Sequence, residues 1–152
     1  MRDLLAEVHV RTDDLIAPLF VREGIAEPQP IKSLKGVMQH TRDSLRSEVV
    51  ELAAPGVKSV ILFGVPAEKD AAGSGAYDPH GIVQLALGDL HSEVGDDMVV
   101  MTDLCVDEYT SHGHCGIIDE RGVVDNDKTL DLYVAAALAQ ARAGSHVVAP
   151  SG

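Results

Sequence analysis

The alternation of short apolar runs with segments of helical periodicity constrains the fold of this chain more than any other feature. Four runs have the length and composition of buried strands: Leu15–Val21, Ser59–Val65, Met98–Met101 and His146–Ala149. Segments with apolar residues at helical spacing separate them. This alternation predicts an α/β fold with a parallel sheet and right-handed crossovers. Periodicity alone fits a doubly wound sheet and part of a (β/α)8 barrel equally well.

Capping residues predict where three helices begin. The expected caps are Thr41, Asp78 followed by Pro79 at the first helical position, and the pair Asn126 and Asp127. The corresponding helices are expected over residues 42–54, 79–94 and 128–143. A small hairpin is expected over residues 117–125, and a loop connects residues 22 and 38.

Composition excludes several classes of protein. The chain has 152 residues, enough for one ordinary domain, and a formal net charge of −12. This acidic balance opposes binding to nucleic acid or to an anionic membrane surface. No apolar run approaches the roughly 20 residues of a membrane-spanning helix, and the first residues lack the apolar core of a secretory signal. We therefore expect a cytoplasmic protein whose two cysteines stay reduced.

Both cysteines fall in one polar segment that follows the third apolar run. Cys105 and Asp107 are two residues apart, and Cys115 lies ten residues beyond Cys105. Two thiolates and a carboxylate can hold a zinc ion with a fourth position open, which is the pattern of catalytic zinc sites. Further candidates for ligands or supporting groups are His112 and His114. The alternative is a pair of buried cysteines without a metal.

Two polar residues are expected at the same end of the predicted sheet as this segment. Asp103 ends a buried strand, where a carboxylate is costly unless it is paired or functional, although it could also cap the following loop. Ser151 follows the fourth apolar run, where a serine is also a common turn residue. None of the five lysines lies in a buried strand that would lower its pKa for Schiff-base chemistry. Only Lys69 is expected near this end of the sheet.

Several motifs, in order along the chain, resemble the porphobilinogen synthase (5-aminolevulinate dehydratase) family. They are Asp14–Val21, Leu62–Pro66 with Lys69 and Asp70 after it, Asp103–Cys105, Tyr109–Gly116, Val124–Asp127 and Val148–Ser151. The most specific is YTSHGHCG followed by VDND. The resemblance implies the N-terminal half of a (β/α)8 TIM barrel with a short N-terminal arm. Residues 1–152 would then be half of a single barrel domain.

The same resemblance implies a function and a site. The family condenses two 5-aminolevulinate molecules to porphobilinogen with loss of two waters, a lyase reaction of tetrapyrrole and heme biosynthesis, and is usually a homo-octamer. Cys105 and Cys115 are implied as thiolate ligands, with Asp107 where the zinc loop usually has a third cysteine. Zn²⁺ is the expected ion, and Mg²⁺ could substitute for it or act at another site. Asp103 and Ser151 are implied in the substrate site.

The resemblance also implies that residues 1–152 are a truncated, inactive piece of the enzyme. The two lysines that form Schiff bases in this family belong to later strands and would lie beyond Gly152. Two other interpretations stay open at this point. One is a complete, small α/β metal-binding protein without enzymatic activity. The other is a half-barrel that dimerises into a full barrel with a lyase or aldolase activity of its own.

Overall fold

Six strands form one sheet in the computed structural model, which describes residues 3–152. The strands are β1 (Ile16–Arg22), β2 (Gln29–Pro30), β3 (Met38–His40), β4 (Ser59–Val65), β5 (Val99–Leu104) and β6 (Val147–Pro150). The α-helices are α1 (Arg42–Ala53), α2 (Ile82–Val94) and α3 (Asn126–Arg142). The strand order is β2-β3-β1-β4-β5-β6, and every neighbouring pair is parallel except β2 with β3.

One α-helix lies in each connection between β1, β4, β5 and β6, so the predicted α/β fold with a parallel sheet is confirmed. Strand β1 pairs with β4 along its whole length, from Ile16 beside Ser59 to Arg22 beside Val65. Parallel strands place their C-terminal ends at one edge of the sheet. The segments that follow β1, β4, β5 and β6 therefore meet at that edge.

The three helices cover one face of the sheet and form the core with it. Helix α1 begins where the sequence predicts, because the Thr41 hydroxyl accepts a hydrogen bond from the Ser44 amide at 3.0 Å. Leu45 and Val49, one helical turn apart, are fully buried against this face. The Arg42 guanidinium donates to the Asp89 carboxylate at 2.6 Å, which joins α1 to α2.

The opposite face of the sheet carries apolar side chains that stay partly exposed. Ile16, Val99 and Val147 are 50%, 40% and 42% exposed. Phe20 and Phe63 stack on this face with ring centroids 5.0 Å apart. Side chains alternate between the two faces along each strand, so these residues all point away from the three helices. The helices thus cover only one of the two apolar faces of this sheet, and we call the other the inner face.

Two predicted helix starts are wrong. Helix α2 begins at Ile82, because Asp78 closes a turn instead: its carboxylate accepts from the His80 amide at 2.8 Å and its carbonyl accepts from the Gly81 amide at 2.9 Å. Helix α3 begins at Asn126. Its cap is the preceding residue, Asp125, whose carboxylate accepts from the Lys128 amide at 3.2 Å.

The connections differ from the prediction in two further places. The segment expected to be a loop contains β2 and leads into β3, which pairs with the C-terminal end of β1. The expected hairpin is present as a single antiparallel bridge between Ile118 and Val124, closed by a hydrogen bond from the Gly122 amide to the Asp119 carbonyl at 3.0 Å. Among residues 3–152, none of the helices has the length and apolar character needed to cross a membrane.

Candidate metal centre and substrate site

The reactive side chains lie where β5 and β6 end, at the edge of the sheet that collects the C-terminal strand ends. Asp103 is the second-to-last residue of β5, and Cys105 follows the strand directly. A long connection then runs to α3. Ser151 follows β6, the neighbour of β5 in the sheet. Adjacent parallel strands thus bring together residues that are far apart in sequence.

Cys105, Asp107 and Cys115 form a group whose potential ligand atoms all lie within 4.8 Å of one another. The Cys105 and Cys115 sulfurs are 3.0 Å apart, and both cysteines are free thiols. Within the connection, the Tyr109 and Thr110 amides donate to the Val106 carbonyl, at 3.0 and 2.9 Å, which turns the chain back on itself. The predicted juxtaposition of these three side chains is present in the fold.

The donor set fits a zinc ion better than a hard cation. Two sulfurs and one carboxylate oxygen are the soft and borderline ligands that Zn²⁺ takes in tetrahedral sites. Two sulfurs on one tetrahedral zinc ion lie about 3.8 Å apart, given Zn–S bonds of about 2.3 Å. The present separation of 3.0 Å is shorter. Cys115 is exposed, so its side chain can rotate to lengthen the distance between the two sulfurs.

Electrostatics explains why the Cys105 thiol needs a cation in order to act as a ligand. Burial is the main cause that raises the pKa of the Cys105 thiol, to about 12. The side-chain hydrogen bonds with Asp107 and Cys115 act in the same direction, whereas those with the Asp107 backbone and the Tyr133 hydroxyl act against it. The thiol is therefore protonated at neutral pH unless a positive charge replaces its proton.

Neither histidine of the connection joins this group. The His112 Nε2 atom lies 3.4 Å from the Ala71 carbonyl, and its Nδ1 atom accepts from the His114 amide at 3.2 Å. Both side chains are exposed. Among residues 3–152, the one cluster with metal-ligand geometry contains the two cysteines and Asp107.

Asp103 and Ser151 form a hydrogen-bonded pair beside the cysteines. The Ser151 hydroxyl donates to Asp103 Oδ1 at 2.6 Å. Burial is the largest cause that raises the pKa of the Asp103 carboxyl, and the charges of Asp107 and Glu108 add to it, against the Ser151 hydrogen bond. A half-buried carboxyl with a raised pKa and one oxygen already paired can bind a cationic group or exchange a proton at Oδ2.

Lys69 lies at this end of the sheet, as expected, but at its periphery. Its Nζ atom is 3.5 Å from the Glu108 carboxylate, and both side chains are well exposed. An exposed ion pair of this kind contributes little stability. Lys69 is therefore a solvated charge at the edge of the site.

Sequence reasoning missed two residues of α3 that contact the site. Gln140 donates to the Asp103 carbonyl at 2.8 Å, and the Tyr133 hydroxyl donates to the Cys115 carbonyl at 3.0 Å. Gln140 continues the buried series Leu132 and Ala136 at intervals of four residues. A polar residue in a buried helical stripe requires a hydrogen-bond partner, which was an available signal. Tyr133 carries no comparable signal, because its partner belongs to an irregular connection.

Comparisons with known proteins identify the family of the chain. The sequence model of the delta-aminolevulinic acid dehydratase family matches residues 1–152. The delta-aminolevulinic acid dehydratase of Streptomyces coelicolor is 53% identical over 154 residues, covering 100% of this chain and 47% of that protein. The Mycobacterium tuberculosis enzyme is 51% identical, with the same coverage. The chain spans about half the length of these curated relatives.

A solved structure has the same fold. It is the delta-aminolevulinic acid dehydratase (porphobilinogen synthase) of Toxoplasma gondii in complex with the reaction product porphobilinogen. It superposes with a TM-score of 0.93 at 33% identity and covers 99% of this chain and 43% of that chain. The sheet and helices described above match the N-terminal half of that barrel, which confirms the predicted fold. This chain belongs to the delta-aminolevulinic acid dehydratase family.

Proposed function

We propose that the protein carrying this chain, at its natural length, condenses two molecules of 5-aminolevulinate to porphobilinogen with loss of two waters. The reaction would serve tetrapyrrole and heme synthesis in the cytoplasm. The observation that carries the proposal is the placement of two groups at one end of the sheet. One is the cluster of Cys105, Asp107 and Cys115, and the other is the pair of Asp103 and Ser151.

Cys105, Asp107 and Cys115 would hold a Zn²⁺ ion. When bound, such an ion supplies a Lewis acid that polarises a substrate oxygen or a coordinated water. Mg²⁺ prefers six oxygen ligands, so its place, if the protein uses it, would be another site. Cys105 is buried, Asp107 is partly buried and Cys115 is exposed to solvent. This leaves one side of the cluster open for substrate.

Asp103 and Ser151 would line the substrate pocket. 5-Aminolevulinate carries an ammonium group, and the free Oδ2 atom of Asp103 can accept a hydrogen bond from it. Ser151 holds the other carboxylate oxygen at 2.6 Å and so fixes the orientation of the group. The raised pKa of Asp103 also suits it to take a proton from a substrate amine and to release it later.

The inner face of the sheet supports a further element of the proposal, in which residues 1–152 are half of one barrel domain. Its apolar side chains include Ile16, Val99 and Val147, and a closed barrel buries side chains of this kind in layers. The remaining βα units would cover this face and supply the Schiff-base lysines. The same exposure makes a complete, small metal-binding protein the weaker interpretation, because an uncovered apolar sheet face favours aggregation.

The N-terminal segment supports assembly into a homo-octamer. Leu4, Leu5, Val8 and Val10 are 85%, 74%, 78% and 73% exposed. An arm with four apolar side chains that no other described residue covers is suited to pack against a second copy of the protein. We propose that it does so.

The experiment that tests the function measures porphobilinogen formation from 5-aminolevulinate by the protein at its natural length. We expect activity that a chelator abolishes and that added Zn²⁺ restores. Cys115→Ser should remove both the bound zinc and the activity. Ser111→Ala, in the same exposed stretch, is the matched control and should retain both. A protein that binds zinc at Cys115 but forms no porphobilinogen would contradict the enzymatic proposal and leave the metal-binding protein as its replacement.

A further inference from the structure

Tyr133 of α3 reaches across to both cysteines of the candidate metal centre. Its hydroxyl lies 3.0 Å from the Cys115 carbonyl, to which it donates, and 3.8 Å from the Cys105 sulfur. The base of the side chain is fixed, because Tyr133 packs against a buried cluster that includes Leu104, Val106 and Leu132. A rigid helix thus places one hydroxyl between the two ends of the metal-binding connection.

Cys115 needs such a contact more than Cys105 does. Cys105 is buried directly after β5, whereas residues 111–115 are all exposed. Within the connection, the Thr110 hydroxyl donates to the His114 carbonyl at 2.8 Å. Within residues 3–152, the Tyr133 hydroxyl makes the only hydrogen bond to the Cys115 backbone. Without it, the Cys115 backbone would keep no hydrogen bond within the described residues.

The chain after β6 approaches the same hydroxyl. A side chain at Gly152 would overlap the Tyr133 hydroxyl, and its Cβ atom would lie 3.1 Å from the Cys105 sulfur. Tyr133 therefore lies where three segments meet: the end of β5, the far end of the metal-binding connection and the residues that follow Ser151. A displacement of the ring would change the distance between the cysteines and the pair of Asp103 and Ser151.

The charges around the site favour a neutral hydrogen-bond donor at this point. Asp103, Asp107 and Glu108 already crowd the site with carboxylates, and metal binding converts both thiols to thiolates. The Tyr133 hydroxyl, which donates to the Cys115 carbonyl, adds no negative charge to this region and does not compete for the ligands as a lysine would. Groups that support metal ligands in this way usually contribute 10- to 100-fold to metal affinity.

We propose that Tyr133 is a positioning residue of the metal centre, whose hydroxyl holds the Cys115 backbone so that the Cys115 thiol stays beside the Cys105 thiol. This inference rests on the proposed function of the two cysteines as metal ligands. It predicts that the hydroxyl, rather than the aromatic ring, is the part of Tyr133 that matters for metal binding.

The test compares Tyr133→Phe with the parent protein at its natural length, using Co²⁺ as a spectroscopic probe. Thiolate coordination gives a charge-transfer band, and competition with a chromophoric chelator gives the dissociation constant. We expect about 10- to 100-fold weaker Co²⁺ binding by the variant, together with faster alkylation of Cys115 in the metal-free protein. Tyr77→Phe is the matched control, because Tyr77 is exposed and lies outside the site. It should change neither quantity.

The outcomes separate this inference from the function on which it rests. A parent protein without any thiolate band would overturn the metal site itself. A normal parent protein with an unchanged affinity and spectrum in Tyr133→Phe would overturn only the role of Tyr133. A weaker affinity that is fully matched by a lower unfolding temperature of the metal-free variant would also overturn it, because the hydroxyl would then support the fold in general.

Discussion

A buried hydrogen-bond network joins α3 to the strand that carries Asp103, and its removal should cost a defined amount of stability. Thr102 is fully buried, and Gln140 is 3% exposed. The Thr102 hydroxyl lies 2.9 Å from Gln140 Oε1 and 2.8 Å from the Ser145 hydroxyl. Gln140 Nε2 donates to the Asp103 carbonyl at 2.8 Å, one residue beyond the last pair of the β4–β5 ladder.

The structure fixes the expected magnitudes. Thr102→Val keeps the shape of the side chain but leaves Gln140 Oε1 without its donor, which should cost about 1–3 kcal/mol. Gln140→Leu leaves the Asp103 carbonyl without this donor and should cost a similar amount. In the double variant the orphaned Oε1 atom no longer exists. The loss of stability in the double variant should therefore be smaller than the sum of the two single losses by about 1 kcal/mol or more.

The assay is equilibrium urea unfolding of the protein at its natural length, followed by circular dichroism. Ser92→Ala serves as the control, since its exposed hydroxyl on α2 donates to the Gly88 carbonyl of the preceding turn. It should change stability by less than about 0.5 kcal/mol. Single costs that add in the double variant to within about 0.5 kcal/mol would refute the reasoning, because they would mean that Thr102 and Gln140 do not depend on each other.

Three further perturbations test other parts of the structure. Thr41→Ala should lower stability by about 1 kcal/mol in urea unfolding, because it removes the cap of α1; an unchanged midpoint would contradict that role. Gly64→Ala should cost about 1–3 kcal/mol, since the new Cβ atom would overlap the Tyr109 hydroxyl and lie 2.5 Å from Val83 Cγ2. The cost of Gly64→Ala should be smaller in a Val83→Ala background, where one of these overlaps is absent. Hydrogen bonds from Ser74 lower the pKa of Asp70 below its ordinary 3.8. The contribution of the Asp70 carboxylate to stability is therefore present at neutral pH and lost as the pH falls through the lowered pKa. In urea unfolding, the midpoint of Asp70→Asn should differ from that of the parent at pH 7 and should approach it in strong acid.

Much of the fold could be predicted because its main elements carry local signals. The four apolar runs became barrel strands with boundaries shifted by a few residues, and Thr41 caps α1 as expected. The start of α2 was predicted wrongly at Asp78, because a carboxylate that caps a helix and one that closes a turn have the same sequence signature. Only packing decides between them. Strand β3 was missed because its three residues gain their structure from pairing with β1 rather than from their own composition.

The candidate site likewise contains residues whose proximity the sequence predicts and residues for which it carries no signal. The proximity of Cys105 and Cys115 could be anticipated, because both lie in one glycine-containing segment after a strand. The contribution of Tyr133 could not, since nothing local relates a tyrosine in α3 to a carbonyl eighteen residues earlier. Residues that act through backbone contacts across irregular segments are visible only once the tertiary structure is known.

The register between β5 and β6 explains why Ser151 meets Asp103. Asp103 pairs with Ala149, so both side chains project from the inner face. Ser151 lies two residues further and shares that face, and its amide still reaches the Leu104 carbonyl at 3.4 Å. A slip of one residue would place Pro150 at this position and turn the hydroxyl to the helix-covered face. The pair of Asp103 and Ser151 therefore depends on strand register, whereas the cluster of Cys105, Asp107 and Cys115 depends on the fold of one connection. Changes in α3 at Gln140 and at Tyr133 should consequently affect the two halves of the site separately.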